Sequence, residues 1–160
     1  MRKPQQGVFL IEALMGILIF SLGILSLVAI QTSAISAQSD AQFRIEAANL
    51  ADQILSQIWV NVNRTNAATL QASLATFQHQ PDGAVASCNF SGTASANALV
   101  TAWVGTVTGG TTRLPGAGAS MQQILVNTTA GNFNRVTVTL CWRASLDAAP
   151  RRHSVTTFVN

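Results

Sequence analysis

A lone carboxylate, Glu12, stands inside an otherwise uncharged run of 23 residues from Val8 to Ile30, just after the Gly7-Val8 junction that closes a short basic leader, MRKPQQG. In hydrocarbon an ionised side chain must neutralise itself, find a hydrogen-bonded cation or reach water. Glu12 therefore favours association. A positively charged helix N-terminus laid beside it satisfies both groups at one axial register, so a single charge can set the stagger between neighbouring chains; the gain is in specificity more than in stability. An ordinary membrane anchor gives the other account, with Glu12 near the interface and modestly favoured by the helix dipole.

The remaining candidates for chemistry are sparse. Ser154 adjoins His153, but no G-x-S-x-G elbow exists and the six carboxylates form no evident acid and base pair, so no enzymatic activity is expected. His79, His153, Cys88 and Cys141 lack the close ligand spacing usual in zinc sites, and Gly116-Ala117-Gly118 falls far short of a dinucleotide fingerprint. No metal, cofactor or small-molecule substrate is expected. Arg151-Arg152, with Arg135 and Arg143 nearby in sequence, are candidates for a basic patch that would hold DNA or another anionic surface. A sheet edge kept from pairing by charge is the commoner origin of such residues.

The element that must position Glu12 is long. As a helix, Val8 to Ile30 spans about 34 Å, enough to cross a bilayer. A secretory signal peptide has an apolar core of only about 7–15 residues and a small-residue cleavage site. Arg2 and Lys3 precede the run and no basic residue follows until Arg44, which keeps the N-terminus cytoplasmic and sends the rest outward. A chain of 160 residues with 48% hydrophobic and 9% charged content, at mean hydropathy +0.32, suits one domain plus a membrane segment. Residues 1–7 hold Arg2 and Lys3, and the rest of the chain has seven basic residues against six acidic ones, so the sequence pI of 9.7 says little about nucleic acid, and none is expected as a partner. Cys88 and Cys141 both fall in the exported part, where disulfides persist, and are predicted to pair; two separate buried thiols are the alternative.

Past Ile30 the helical signal continues. Phe43, Ala47, Leu50, Ile54 and Ile58 recur on one face, Ala51, Leu55 and Trp59 widen it, and no proline or glycine interrupts Ser26 to Asn63. One helix from about Val8 to Asn61 is expected, with Trp59 and the stripe in a head-domain core. Gly16 and Gly23 share a face that would admit a neighbouring helix. Arg64 to Phe77 has the composition of a connection with a short helix, and Gln80-Pro81-Asp82-Gly83 is a turn signal, with Cys88 in the loop beyond. The stretch from Ser95 to Thr108 fits either helix or strand, and Thr108 to Ser120 is glycine-rich loop. Three strands should close the chain: Met121 to Thr128, then after the turn Thr129-Ala130-Gly131-Asn132 an alternating strand with Val136, Val138 and Leu140 against Thr137, Thr139 and Cys141, and finally His153 to Val159 with Val155 and Phe158. Packed on the amphipathic half of the helix, they make an α+β head with a small antiparallel sheet of three or four strands.

The string Gly7-Val8-Phe9-Leu10-Ile11-Glu12 resembles the prepilin peptidase site of type IV pilins and of type II secretion pseudopilins. Its continuation, EALMGILIFSLGILSL, and the C-terminal segments NRVTVTLCWR and HSVTTFVN are similar to the PilV family of minor pilins. Many major pilins begin the mature chain with Phe, where this sequence has Val8. Trp103 followed by Leu114-Pro115-Gly116 also looks like that family, which implies a helix before the turn. The resemblance implies a leader, residues 1–7, removed by prepilin peptidase between Gly7 and Val8, with N-methylation of Val8. It implies a transmembrane or filament-core half over 8–30, an amphipathic half over 31–61 and a periplasmic head over 62–160, all in a type IV pilin-like fold anchored in the bacterial inner membrane until assembly into a pilus. Glu12 then partners a subunit's N-terminus, and the partners are major and minor pilins, the peptidase, the inner-membrane assembly platform and the membrane. The expected role is that of a minor pilin contributing to initiation of pilus assembly; a type II secretion minor pseudopilin is the alternative.

Overall fold

The computed structural model describes residues 6–109, 114–129, 131–145 and 147–160. The first five residues of the expected leader, residues 110–113 of the glycine-rich segment and Ala130 of the expected turn lie outside them. The first element, α1, is one helix over Gln6–Asn61, 56 residues long, and no proline occurs between Pro4 and Pro81 to break it. The chain divides into two compact units, residues 1–42 and Phe43–Asn160, with α1 contributing to both.

In the first unit every side chain from Val8 to Gln38 is exposed, and the helix is long and apolar enough to cross a membrane. Its hydroxyls turn inward on their own backbone. Ser21, Ser26 and Thr32 donate to the carbonyls of Ile17, Leu22 and Val28 at 2.7, 3.0 and 3.0 Å, which satisfies each of these donors without water.

In the second unit Ala47, Leu50, Ala51, Ile54, Leu55, Ile58 and Val62 form the buried stripe, with Phe43 half-buried against it. Trp59 departs from the expectation. It lies one residue past Ile58, about 100° around the helix, and is 40% exposed under the Arg64 guanidinium. The second helix, α2, spans Ala67–Ala75 behind an Asn66 cap: Thr69 N–H donates to Asn66 Oδ1 at 2.9 Å and Asn66 N–H donates to Thr69 Oγ1 at 3.1 Å. The ambiguous stretch is helical. α3 covers Ala98–Gly109 after the Asn97 side chain, which accepts Leu99 N–H at 3.0 Å, and it buries Val100, Trp103 and Val107.

Three antiparallel strands follow a 3-10 turn at Ala119–Met121, in spatial order β3 (Gln122–Asn127), β4 (Arg135–Trp142) and β5 (Arg151–Phe158). The register pairs Ile124 with Val138 and Val138 with Val155, so these residues share the core face. A separate hairpin, β1 (Asp82–Ala84) with β2 (Asn89–Ser91), frames the expected loop, and Cys88 lies in its turn. The Pro-Asp-Gly signal marks a real bend, because Gln80 has φ of 46°, but Gly83 then enters a strand. At φ of 104° it faces Phe90, and a Cβ there would collide with the Asn89 carbonyl.

The hairpin also changes β4. Thr139 and Cys141, which alternate with the core residues of β4, are buried as well, and Cys88 and Phe90 pack on Cys141 from the outer side. At the other end Phe158 points outward, 49% exposed, while Val159 completes the core.

Candidate functional site

The peptide bond between Gly7 and Val8 lies in the first turn of α1, where helix N–H groups have no intrahelical acceptor and glycine weakens the helix further. Opening that turn costs little. Glu12 follows one helical turn after Val8 and is exposed among apolar side chains, Phe9, Ile11 and Met15 being 74, 61 and 61% exposed. At 100° per residue Glu12, Gly16, Ile19 and Gly23 fall within about 40° of one line along the helix. A Cβ built on Gly16 or Gly23 meets nothing within 4 Å, so packing inside the chain does not require either glycine. The carboxylate and the narrow strip beside it therefore face outward together.

Cys88 and Cys141 are joined, with Cα atoms 5.9 Å apart and a sequence separation of 53. Both are buried, and Phe90 and Met121 pack around them. This removes the thiolates from any metal site. His79 and His153 stand apart from them in role: His79 bridges to β3, and His153 lies opposite Leu140 on the core side of β5. Ser154 faces the other way and shares a hydrogen bond with Thr139 at 3.0 Å, so the Ser154 and His153 side chains do not converge.

No protein-family model, curated protein or solved structure matches this chain.

Of the arginines named as a basic patch, Arg143, Arg151 and Arg152 lie at one end of the β4-β5 pair and are engaged within the chain, and Arg135 lies at the other end. Arg143 donates to the carbonyls of Asp147 and Ala148, and Arg151 forms an ion pair with Asp147 at 2.9 Å that holds the Asp147 carboxyl below the usual carboxylate range. Arg152 reaches the Val85 carbonyl at 3.4 Å, whereas Arg135 lies six residue steps along the sheet beside Phe158. Six steps of a strand cover about 20 Å.

Sequence reasoning missed the part played by His79, since a lone histidine carries no pattern. Its backbone exchanges hydrogen bonds with Ile124 at 2.9 and 3.0 Å, and its Nδ1 accepts Ser95 N–H at 3.1 Å. The proton of the neutral ring is therefore on Nε2, which is buried without a well-formed hydrogen bond among the described residues. Burial lowers the His79 pKa below its ordinary 6.5, opposed by the Ala119 carbonyl. With the folded value depressed, the unfolded chain binds the proton first as pH falls. The head is thus expected to lose stability from about pH 6.5 downward until the folded ring protonates. Urea denaturation at several pH values checks this: His79→Asn, whose Oδ1 can take the Ser95 N–H without titrating, should flatten that part of the profile. An unchanged profile would contradict the assignment.

Proposed function

We propose that the chain is a minor pilin of a type IV pilus, entering the filament through α1 and contributing to initiation of assembly. The observation that carries this reading is the combination at the start of α1: a basic leader ending at Gly7, a cleavable first turn, and Glu12 at a fixed distance along a fully exposed apolar helix. Cleavage after Gly7 creates a cationic amine on Val8. Glu12 of one subunit and the amine of another then satisfy each other in an apolar surround, at one axial offset. The strip at Gly16 and Gly23 lets a second helix approach the Glu12 face closely, and the membrane holds the subunit until the pair forms. Prepilin peptidase, the assembly platform and other pilins are the partners this requires.

Mass spectrometry of the mature N-terminus tests it, in cells with and without prepilin peptidase. A chain beginning at methylated Val8 only when the peptidase is present is expected. A chain beginning at Met1, or after the apolar run near Ile35, would overturn the proposal. In the same cells Glu12→Ala should leave processing intact and reduce incorporation into filaments at least tenfold.

A further inference from the structure

The head unit contains eight aromatic side chains, and the fold separates them into two groups. Phe77, Phe90, Trp103 and Trp142 are buried and Phe43 is half-buried; Trp59, Phe133 and Phe158 are 40, 73 and 49% exposed. The three exposed rings gather at one end of the head, where α1 and β5 both finish. A chain of contacts joins them. Arg64 covers the Trp59 ring, 5.2 Å from its centroid, and its Nε donates to the Asn160 carbonyl at 3.0 Å. Val159 N–H donates to the Asn134 carbonyl at 3.2 Å, and Asn134 Nδ2 donates back to the Val159 carbonyl at 3.1 Å. Phe133 precedes Asn134, and Phe158 lies opposite Arg135 across the strand pair. Val60, beside Trp59, is 81% exposed.

The backbone holds Phe133 outward at a cost. Phe133 and Asn134 both have φ of 50°, a left-handed conformation that asparagine tolerates and a bulky side chain rarely adopts. With its ring 73% exposed, Phe133 recovers little of that cost inside the chain. A strained residue whose side chain serves no core points to use by something outside. The electrostatics are one-sided as well. Arg64 and Arg135 stand at this end, and the Arg135 side chain makes no hydrogen bond or ion pair among the described residues. The head's Asp and Glu side chains lie elsewhere: Asp147 between β4 and β5 at their far end, Asp82 in β1, and Glu46 and Asp52 at least about 10 Å back along α1.

We infer that this end of the head, formed by Trp59, Val60, Arg64, Phe133, Arg135 and Phe158, is a docking surface for a different folded protein whose contact patch is apolar and edged by carboxylates. Exposed aromatic and arginine anchors are the composition of interface hot spots, and rings fixed before contact lose little conformational freedom on binding. A second copy is disfavoured, because a symmetric contact sets the arginines of one chain against those of the other. Nucleic acid needs a longer row of cations than two arginines, of which Arg64 is already engaged. A membrane surface gains nothing from a turn locked in shape by Asn134 and Val159. The inference rests on the head alone and does not depend on how the N-terminus is processed.

The test is site-specific photocrosslinking of the full chain in its native cells. Benzoylphenylalanine is placed in turn at Phe133 and Phe158, with the exposed hairpin residue Val85 as control. Positions 133 and 158 should give one discrete adduct to another protein, absent from position 85, and the crosslinked peptide should map to an apolar surface edged by Asp or Glu. Arg135→Glu should lower the yield about tenfold, and reversing the mapped carboxylate to lysine should restore it. Unfolding of the Arg135→Glu chain in detergent should match the parent, which separates lost docking from lost folding. Equal adducts at position 85, adducts only to a second copy, to lipid or to nucleic acid, no adduct, or a yield that Arg135→Glu leaves unmoved would each overturn the inference.

Discussion

Trp103→Ala is expected to destabilise the head by about 3–5 kcal/mol, enough to leave a domain of ordinary stability largely unfolded. The indole is 3% exposed, packs in the main core, and its Nε1 donates to the Leu50 carbonyl at 2.8 Å, tying α3 to the head portion of α1. Alanine removes both the tie and most of the packing. Trp103→Phe separates the two effects, since it keeps an aromatic ring and loses the hydrogen bond, for about 1–2 kcal/mol. Trp142 supplies the contrast. It is fully buried, yet its Nε1 has no hydrogen-bond partner among the described residues, so Trp142→Phe also relieves an unpaired donor and should cost less than Trp103→Phe. Urea denaturation of each full-length variant in detergent, followed by circular dichroism, gives the order. Equal losses for the two phenylalanine variants would remove the role assigned to the Leu50 bond.

Periodicity made the main architecture legible. The stripe from Phe43 through Ile58 exposed the amphipathic half of α1 because a helix repeats every 3.6 residues, and alternation at Val136, Val138 and Leu140 exposed a strand because side chains switch faces at each step. The misread positions were those decided by long-range contacts. Cys141 was predicted to pair, but that a hairpin would bring Phe90 as well as Cys88 over the outer face of β4 has no signal in the local alternation. Trp59 fits the apolar stripe in sequence, yet Arg64 covers it at the rim of the core. Phe133 sits in a turn between two asparagines, where composition gives no hint that its backbone is left-handed and its ring outward. The proposal at Gly7, Val8 and Glu12 rests on the sequence for the opposite reason, since these residues lie close together in the chain and need no fold to assemble them.

Removing the Cys88 to Cys141 link should cost about as much as the largest core substitution, through a different state. On the chain-entropy account, freeing a loop of 53 residue steps returns about 4 kcal/mol of freedom to the unfolded chain. Alanine is the replacement of choice at both positions, because the sulfurs are buried and serine would place unpartnered hydroxyls among Phe90 and Met121. A local effect should accompany the global one. β1 and β2 form a two-stranded hairpin, a unit that is marginal by itself, and the disulfide is its covalent tie to β4. Hydrogen exchange of the Cys88→Ala, Cys141→Ala chain should therefore show residues 82–91 losing protection first, while the Ile124 and Val138 amides at the sheet centre keep theirs until global unfolding. Dithiothreitol added to the parent chain should reproduce both changes. Stability within about 1 kcal/mol of the oxidised parent would mean that the hairpin is held by Phe90 packing and not by the bond. Uniform loss of protection across the head would mean that hairpin and sheet unfold as one unit.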